Sequence, residues 1–165
     1  MRVLGIDPGT VAMGYGAIEN LDGEVTMIGC GTLTTPARSP IGKRLSYLYN
    51  QLCEIIARYQ PDDVAVEQPF VAKNVKSTLA IGKAQAIAIL AAANKDIPIY
   101  EYTPTQVKQR VANYGGSSKE QIQEMVRLQL GLDQAPKTSD AADALAVALC
   151  HLSEAHLSNL LAKQQ

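Results

Sequence analysis

An α/β sandwich on a mixed sheet is the fold class this sequence predicts, and three observations carry it. The first 35 residues read as β-branched and apolar runs joined by tight-turn signals. The rest alternates long helical periodicities with short strand-like runs. No stretch between them has the composition of a linker, and 165 residues with 47% hydrophobic and 19% charged side chains suit one domain spanning 1–165 around one core.

Arg2 to Ile6 is the first strand, closed by Asp7-Pro8-Gly9, whose Pro-Gly order predicts a type II turn. Gly14 to Glu19 and Glu24 to Thr35 are the next two, joined through Asp22-Gly23, a hairpin signal that makes the opening an antiparallel meander. Ile41, Leu45, Leu48, Leu52, Ile55 and Tyr59 recur at steps of three and four, the apolar stripe of a long helix stopped by Pro61. Asp63 to Glu67 is the fourth strand. An alanine-rich helix follows over about Asn74 to Asn94, with Leu79, Ala86, Ile89 and Leu90 expected inward, and then a strand over Ile97 to Tyr102. Thr103, Pro104 and Gln106 form a capping box opening a short helix that Gly115-Gly116 ends. Ser118 starts another helix running to Leu130 and Gly131, and the last begins near Ser139. From His156 to Gln165 the pattern weakens, and fraying is expected.

Composition excludes several classes. Cys30, Cys53 and Cys150 are odd in number, far apart and without a CxxC pair, which suits reduced thiols. With only His151 and His156 beside them, a Cys/His zinc site has no ligand set, so any metal must be held by oxygen. A formal charge of −1 denies wholesale basic character, and a nucleic-acid partner would have to meet a local basic surface. The longest unbroken apolar run, Ala86 to Ala93, is short for a membrane span, and Asp7 and Pro8 stand where a signal peptide would be apolar, so a cytoplasmic protein without a membrane partner is expected.

If the first and fourth strands lie parallel as neighbours, Asp7 and Glu67 reach the same carboxyl edge of the sheet, where open α/β folds place ligands. Asp140 and Asp143, three apart, share one face of the last helix. Each residue alone has a structural explanation: Asp7 suits a turn and Asp140 suits a helix's first turn. Glu67 interrupts the apolar run Val64-Ala65-Val66, and a buried acid needs a partner. Four converging carboxylates would repel unless cations compensate, and hard divalent ions take such oxygen ligands. Two ions ~4 Å apart are the arrangement that hydrolyses a phosphodiester.

These residues resemble a known family. Gly5-Ile6-Asp7-Pro8-Gly9-Thr10 with Gly14-Tyr15-Gly16, then Glu67-Gln68-Pro69-Phe70 with Ala72-Lys73-Asn74, then Asp140-Ala141-Ala142-Asp143-Ala144 are similar, in order and over nearly the whole chain, to RuvC, the bacterial Holliday-junction resolvase family. The resemblance implies an RNase H-like fold, a mixed five-stranded sheet with helices on both faces. It also implies a homodimer that nicks four-way DNA junctions in symmetric pairs, working beside a branch-migration motor of the RuvA and RuvB type. The family's acids map onto Asp7, Glu67, Asp140 and Asp143, implying Mg²⁺, two ions per site, with Mn²⁺ expected to substitute. By analogy with RNase H-like nucleases, Asp7 bridges the ions, Asp143 and Asp140 serve the water-activating ion, and Glu67 the leaving-group ion. Lys108 and Lys119 match basic residues near the scissile phosphate. Phe70, the only phenylalanine, matches an aromatic position and would stack on a base or wedge a junction; by itself it could equally pack its loop.

Lys73, Lys76, Lys83 and Arg110 extend a candidate phosphate track, although a helical lysine is commonly just solvated. Arg38, Lys43 and Arg44 could form a second DNA contact or simply the outside of the first long helix, and the latter reading is preferred. Three rivals stay open on sequence grounds: a nuclease of the same fold acting on another branched or hybrid substrate, a non-catalytic junction-binding module, and an actin-like phosphotransferase. The last would need a second lobe, and neither Ile41-Gly42-Lys43 nor Ile81-Gly82-Lys83 completes a GxxxxGK[ST] loop.

Overall fold

A computed structural model describes residues 1–69 and 74–162. Five strands form one sheet: β1 (Arg2–Asp7), β2 (Ala12–Leu21), β3 (Glu24–Thr34), β4 (Asp63–Glu67) and β5 (Ile99–Tyr102). Their spatial order is β3-β2-β1-β4-β5, antiparallel across β3-β2-β1 and parallel across β1-β4-β5. Helices α1 (Ile41–Tyr59), α2 (Val75–Ala93), α3 (Pro104–Ala112), α4 (Lys119–Gln129) and α5 (Ser139–Ala162) complete it. The mixed five-stranded sheet expected of an RNase H-like chain is therefore present.

Strand alternation sorts the core into two layers. Leu4, Ile6, Met13, Ala17, Val64 and Val66 meet Leu48, Leu52, Ile55 and Ile56 of α1 and the alanines of α2. Val3, Ile18, Ala65 and Tyr102 meet α3, α4 and α5 on the other face. There α5 lies directly on backbone. A Cβ on Gly5 would overlap the Ala144 carbonyl, one on Gly14 the Asp140 carbonyl, and one on Gly16 the Leu145 side chain. Bare glycine at these three positions lets the helix descend onto β1 and β2.

Several sequence expectations change. Gly9 is not among the positive-φ residues, so the turn after Asp7 is not type II; Gly9 instead comes up against the Ala12 carbonyl. Asp22 and Gly23, at φ 53° and 94°, do make the two-residue hairpin turn between Leu21 and Glu24. Asn113, left-handed at φ 56°, ends α3 before Gly115 is reached. Helix α5 extends through His156 to Ala162, further than the weakening pattern suggested.

The inward face of α2 is also different. Ala84, Ala88, Ala91 and Ala92 are buried, while Leu79, Leu90 and Ala86 are exposed. Small alanines permit close approach to β4 and α1, and the bulky residues turn outward. Among the described helices, α2 alone has the length and mean hydropathy of a membrane span, 1.3 over 18 residues, yet it carries Lys76 and Lys83 and packs its alanines into the core. Cys150 is buried, Cys30 and Cys53 are half-buried, and all three are unpaired.

Candidate active site

The parallel register pairs Ile6 with Val66, which sets Asp7 beside Glu67 one step later at the carboxyl ends of β1 and β4. Alternation sends both to the face that α5 covers, since Gly5 and Ala65, two residues before each, face that helix. Asp7 pairs with Gly14 across the β1–β2 ladder, and Gly14 touches the backbone of Asp140. The glycine contact thus fixes the start of α5 over Asp7. Thr138, which the sequence reading missed, fixes it further: its Oγ1 accepts from the Ala141 N–H at 3.2 Å and bonds Thr32 of β3 at 2.6 Å. A threonine just before an aspartate-bearing helix was the available signal.

Two more helix starts deliver the cations. The Thr103–Gln106 capping box opens α3, which presents Lys108, and a second box, Ser118–Gln121, opens α4 with Lys119 as its first residue. Lys119 Nζ stands 2.7 Å from Asp143 Oδ2. A cleft of about 180 Å³ is lined by Glu67, Lys108, Lys119 and Asp143 with Pro104 and Val107. A second, lined by Asp7, Pro8, Glu67, Gln68 and Pro69, shares Glu67 and Pro104 with it, so the two form one trough across the sheet edge.

Crowding shows in the electrostatics. Burial, and then the charges of Glu67, Asp143 and Asp140, push the Asp7 carboxyl up to about 8 against the pull of Lys119. Burial and Asp143 push Glu67 up to about 7, opposed by Lys119 and Lys108. The bond to Asp143 raises Lys119 above the usual lysine range. The charges that raise Asp7, from Glu67, Asp143 and Asp140, place all four acids within electrostatic reach of one another. Among the described residues, no three acidic, histidine or cysteine side chains close around one point as a ready-made cage. The donor set still fits a hard dication: it is all oxygen, partly buried and over-supplied with negative charge that Lys119 and Lys108 offset only in part.

The other predicted contacts disperse. Arg110 lies on the far side of α3 and pairs with Glu154, away from the trough. Lys76 and Lys83 are exposed on α2. Phe70 and Lys73 lie outside the described residues. Arg44 is not merely on the outside of α1: its Nη1 reaches Thr10 Oγ1 at 3.4 Å and its Nε is buried.

Comparison with known proteins gives a consistent result. The family model described as crossover junction endodeoxyribonuclease RuvC matches residues 3–151. The chain is 58% identical over 163 residues to the crossover junction endodeoxyribonuclease RuvC of Dehalococcoides mccartyi, covering 99% of this chain and 98% of that one. It is 56% identical over 151 residues to the RuvC of Chloroflexus aggregans, covering 92% of each. Among solved structures, Thermus thermophilus RuvC in complex with a Holliday junction substrate superposes with a TM-score of 0.90 at 34% identity, covering 96% of both chains.

Proposed function

The chain belongs to the RuvC family of crossover junction endodeoxyribonucleases, and from that premise we propose that it resolves Holliday junctions by paired, symmetric, metal-dependent nicking of DNA in recombination and repair. One observation carries the chemistry: acids from three separate elements, Asp7, Glu67 and the Asp140–Asp143 pair, meet at one sheet edge with Lys119 bonded to Asp143.

Asp7, Glu67, Asp140 and Asp143 would hold Mg²⁺, with Asp7 shared between two ions, Asp143 and Asp140 on the water side, and Glu67 on the leaving-group side. When bound there, the ions supply the Lewis acidity that polarises the scissile phosphate and acidifies the attacking water. Mn²⁺ offers the same charge and ligand preference and should substitute. The chain's own cations do the rest. Lys119, beside Asp143, and Lys108, across the same cleft, are placed to receive non-bridging phosphate oxygens and to balance the charge that grows on them. The apolar wall of Val107 and Ile122 narrows the cleft and keeps that charge in a low-dielectric setting, where the lysines act more strongly.

The acidic trough is only a cutting centre, so strand selection falls to residues around it. Phe70, one residue past the trough-lining Pro69, would stack on a base at the branch, and Lys73, Lys76 and Lys83 would track the phosphates leading away. Arg110, held by Glu154, contributes least. Two centres in a homodimer would supply the two nicks, and a branch-migration motor of the RuvA and RuvB type is the partner that family membership suggests. A DNA-acting enzyme of this kind works in the bacterial cytoplasm.

The test is cleavage of a synthetic four-way junction beside linear duplex and RNA/DNA hybrid, with Mg²⁺ and with chelator. Symmetric nicks in opposing arms of the junction alone, lost with chelator, are expected. Preferential cutting of the hybrid would reassign the substrate, and tight binding without any nick would make the chain a binding module.

A further inference from the structure

A second cleft opens at the same edge of the sheet, on the α1 side. It is about 350 Å³ and is lined by Thr34, Thr35, Pro36, Ser39, Lys43, Arg44 and Tyr47. Two of those residues are cations and none is an acid. Neither Lys43 nor Arg44 takes part in an ion pair among the described residues. The Arg44 guanidinium is under-used: Nη1 has the long contact to Thr10 Oγ1, and Nε is buried with no hydrogen-bond partner.

The start of α1 reinforces this. Pro40 provides no side-chain cap and the first turn contains no acid, so the positive end of a 19-residue helix is unneutralised. Gly42, in that first turn, has open space where a side chain would stand. A guanidinium with one long hydrogen bond, a lysine and hydroxyls line one concave surface beside the start of α1, and a phosphodiester is a ligand that satisfies them together.

The placement matches a strand running from the acidic trough. Thr34 ends β3, two strands from β1, and Thr35 binds back to the Val11 carbonyl of the turn that follows Asp7. The acids lie on the α5 face and the cleft on the α1 face, so a strand passing from one to the other rounds the carboxyl end of the sheet.

We propose that this cleft binds a non-scissile backbone phosphate of the cleaved strand, with Arg44 and Lys43 as its anion-binding residues. The proposal rests on the junction-cutting reading and adds a site to it.

Junction binding in chelator is measured against salt for wild type, Lys43→Gln and Arg44→Gln, and repeated with single neutral methylphosphonate linkages placed in turn along the cleaved strand. Lys43 is exposed, so its variant tests the site without risk to the fold. Each variant should flatten the slope of log affinity against log salt by about 0.9, making the affinity lost between ~50 and ~200 mM salt about 3-fold smaller than in wild type. One methylphosphonate position should weaken wild type and leave the variants unaffected. If wild type binds the junction but both variants keep its slope and its methylphosphonate profile, the subsite is wrong and the functional reading stands. If wild type does not bind the junction, both fall together.

Discussion

Asp7 and Glu67 are held where burial and neighbouring carboxylates lift them to about 8 and about 7, far above the range near 4 that they have in an unfolded chain. Between those limits the folded protein retains protons that the unfolded chain has released. In chelator, stability must therefore fall as pH rises from about 4 to about 8. Asp7→Asn removes the group with the larger shift, whose causes are burial first and neighbouring carboxylates second, and should raise the melting temperature of the chelated protein at pH 8, by about 2 kcal/mol or roughly 4 to 8 °C, with little change at pH 4. Equal melting curves at both pH values would mean that the acids do not crowd one another. The same protons oppose cation binding, so at limiting Mg²⁺ the cleavage rate should climb from pH 6 to pH 8 and flatten when Mg²⁺ is saturating. Asp7→Asn, Glu67→Gln and Asp143→Asn should each abolish cutting while junction binding persists; a variant of the three that cuts like wild type loses its assigned role. Lys119→Met removes a cation that touches the reacting phosphate in the proposed mechanism and should slow cleavage about 100-fold.

The helix that carries two of these acids rests on glycine, and that contact connects packing to chemistry. Gly14→Ala would set a methyl group into the Asp140 carbonyl, so α5 must lift or β2 must bend. An overpacked contact of this kind costs roughly 1 to 3 kcal/mol, and cleavage should fall further than stability alone explains, because the displaced turn carries Asp140 and Asp143. Activity at a temperature where the variant is fully folded checks this; unimpaired cutting would show that α5 adjusts without moving its acids. How legible the sequence was follows from the same contrast. Strand β4 was readable to the residue because Val64, Ala65 and Val66 leave no other pattern, and the α3 cap because Thr103, Pro104 and Gln106 each have a specific hydrogen-bonding reason to be there. The glycine seat under α5 was not, since a missing side chain looks the same whether a helix or water lies above it. The α2 face was misread because hydrophobicity points leucine inward, whereas close packing on a sheet favours alanine. Arg44 was read as solvated because helical periodicity says nothing about a loop folding back beneath a side chain.

At the scale of the whole molecule, the outward turn of α2 leaves a stripe of apolar side chains that no other described residue covers. Val75 is 67% exposed, Leu79 60% and Leu90 47%, on a helix whose other face is alanine packed into the core. Val75, Leu79, Ala86, Leu90 and Ala93 follow one another at spacings that keep them on one side of the helix. A contiguous apolar strip on a protein surface marks an interaction surface, and a twofold contact between two copies would bury the same strip from each. That arrangement also suits the reaction, because a twofold axis relates two identical cutting centres to two strands of like polarity in a four-way junction. For the proposed homodimer, Leu79→Glu combined with Leu90→Glu should convert dimer to monomer in sedimentation, weakening self-association at least tenfold, about 1.4 kcal/mol. The fold should stay intact, since neither side chain belongs to the core. Coupling of the two nicks is the sharper readout. With a supercoiled cruciform substrate, wild type should release linear product from paired cuts, and the monomeric variant should accumulate singly nicked circles. Paired cutting by a chain shown to be monomeric under assay conditions would sever the connection between the α2 stripe and symmetric resolution.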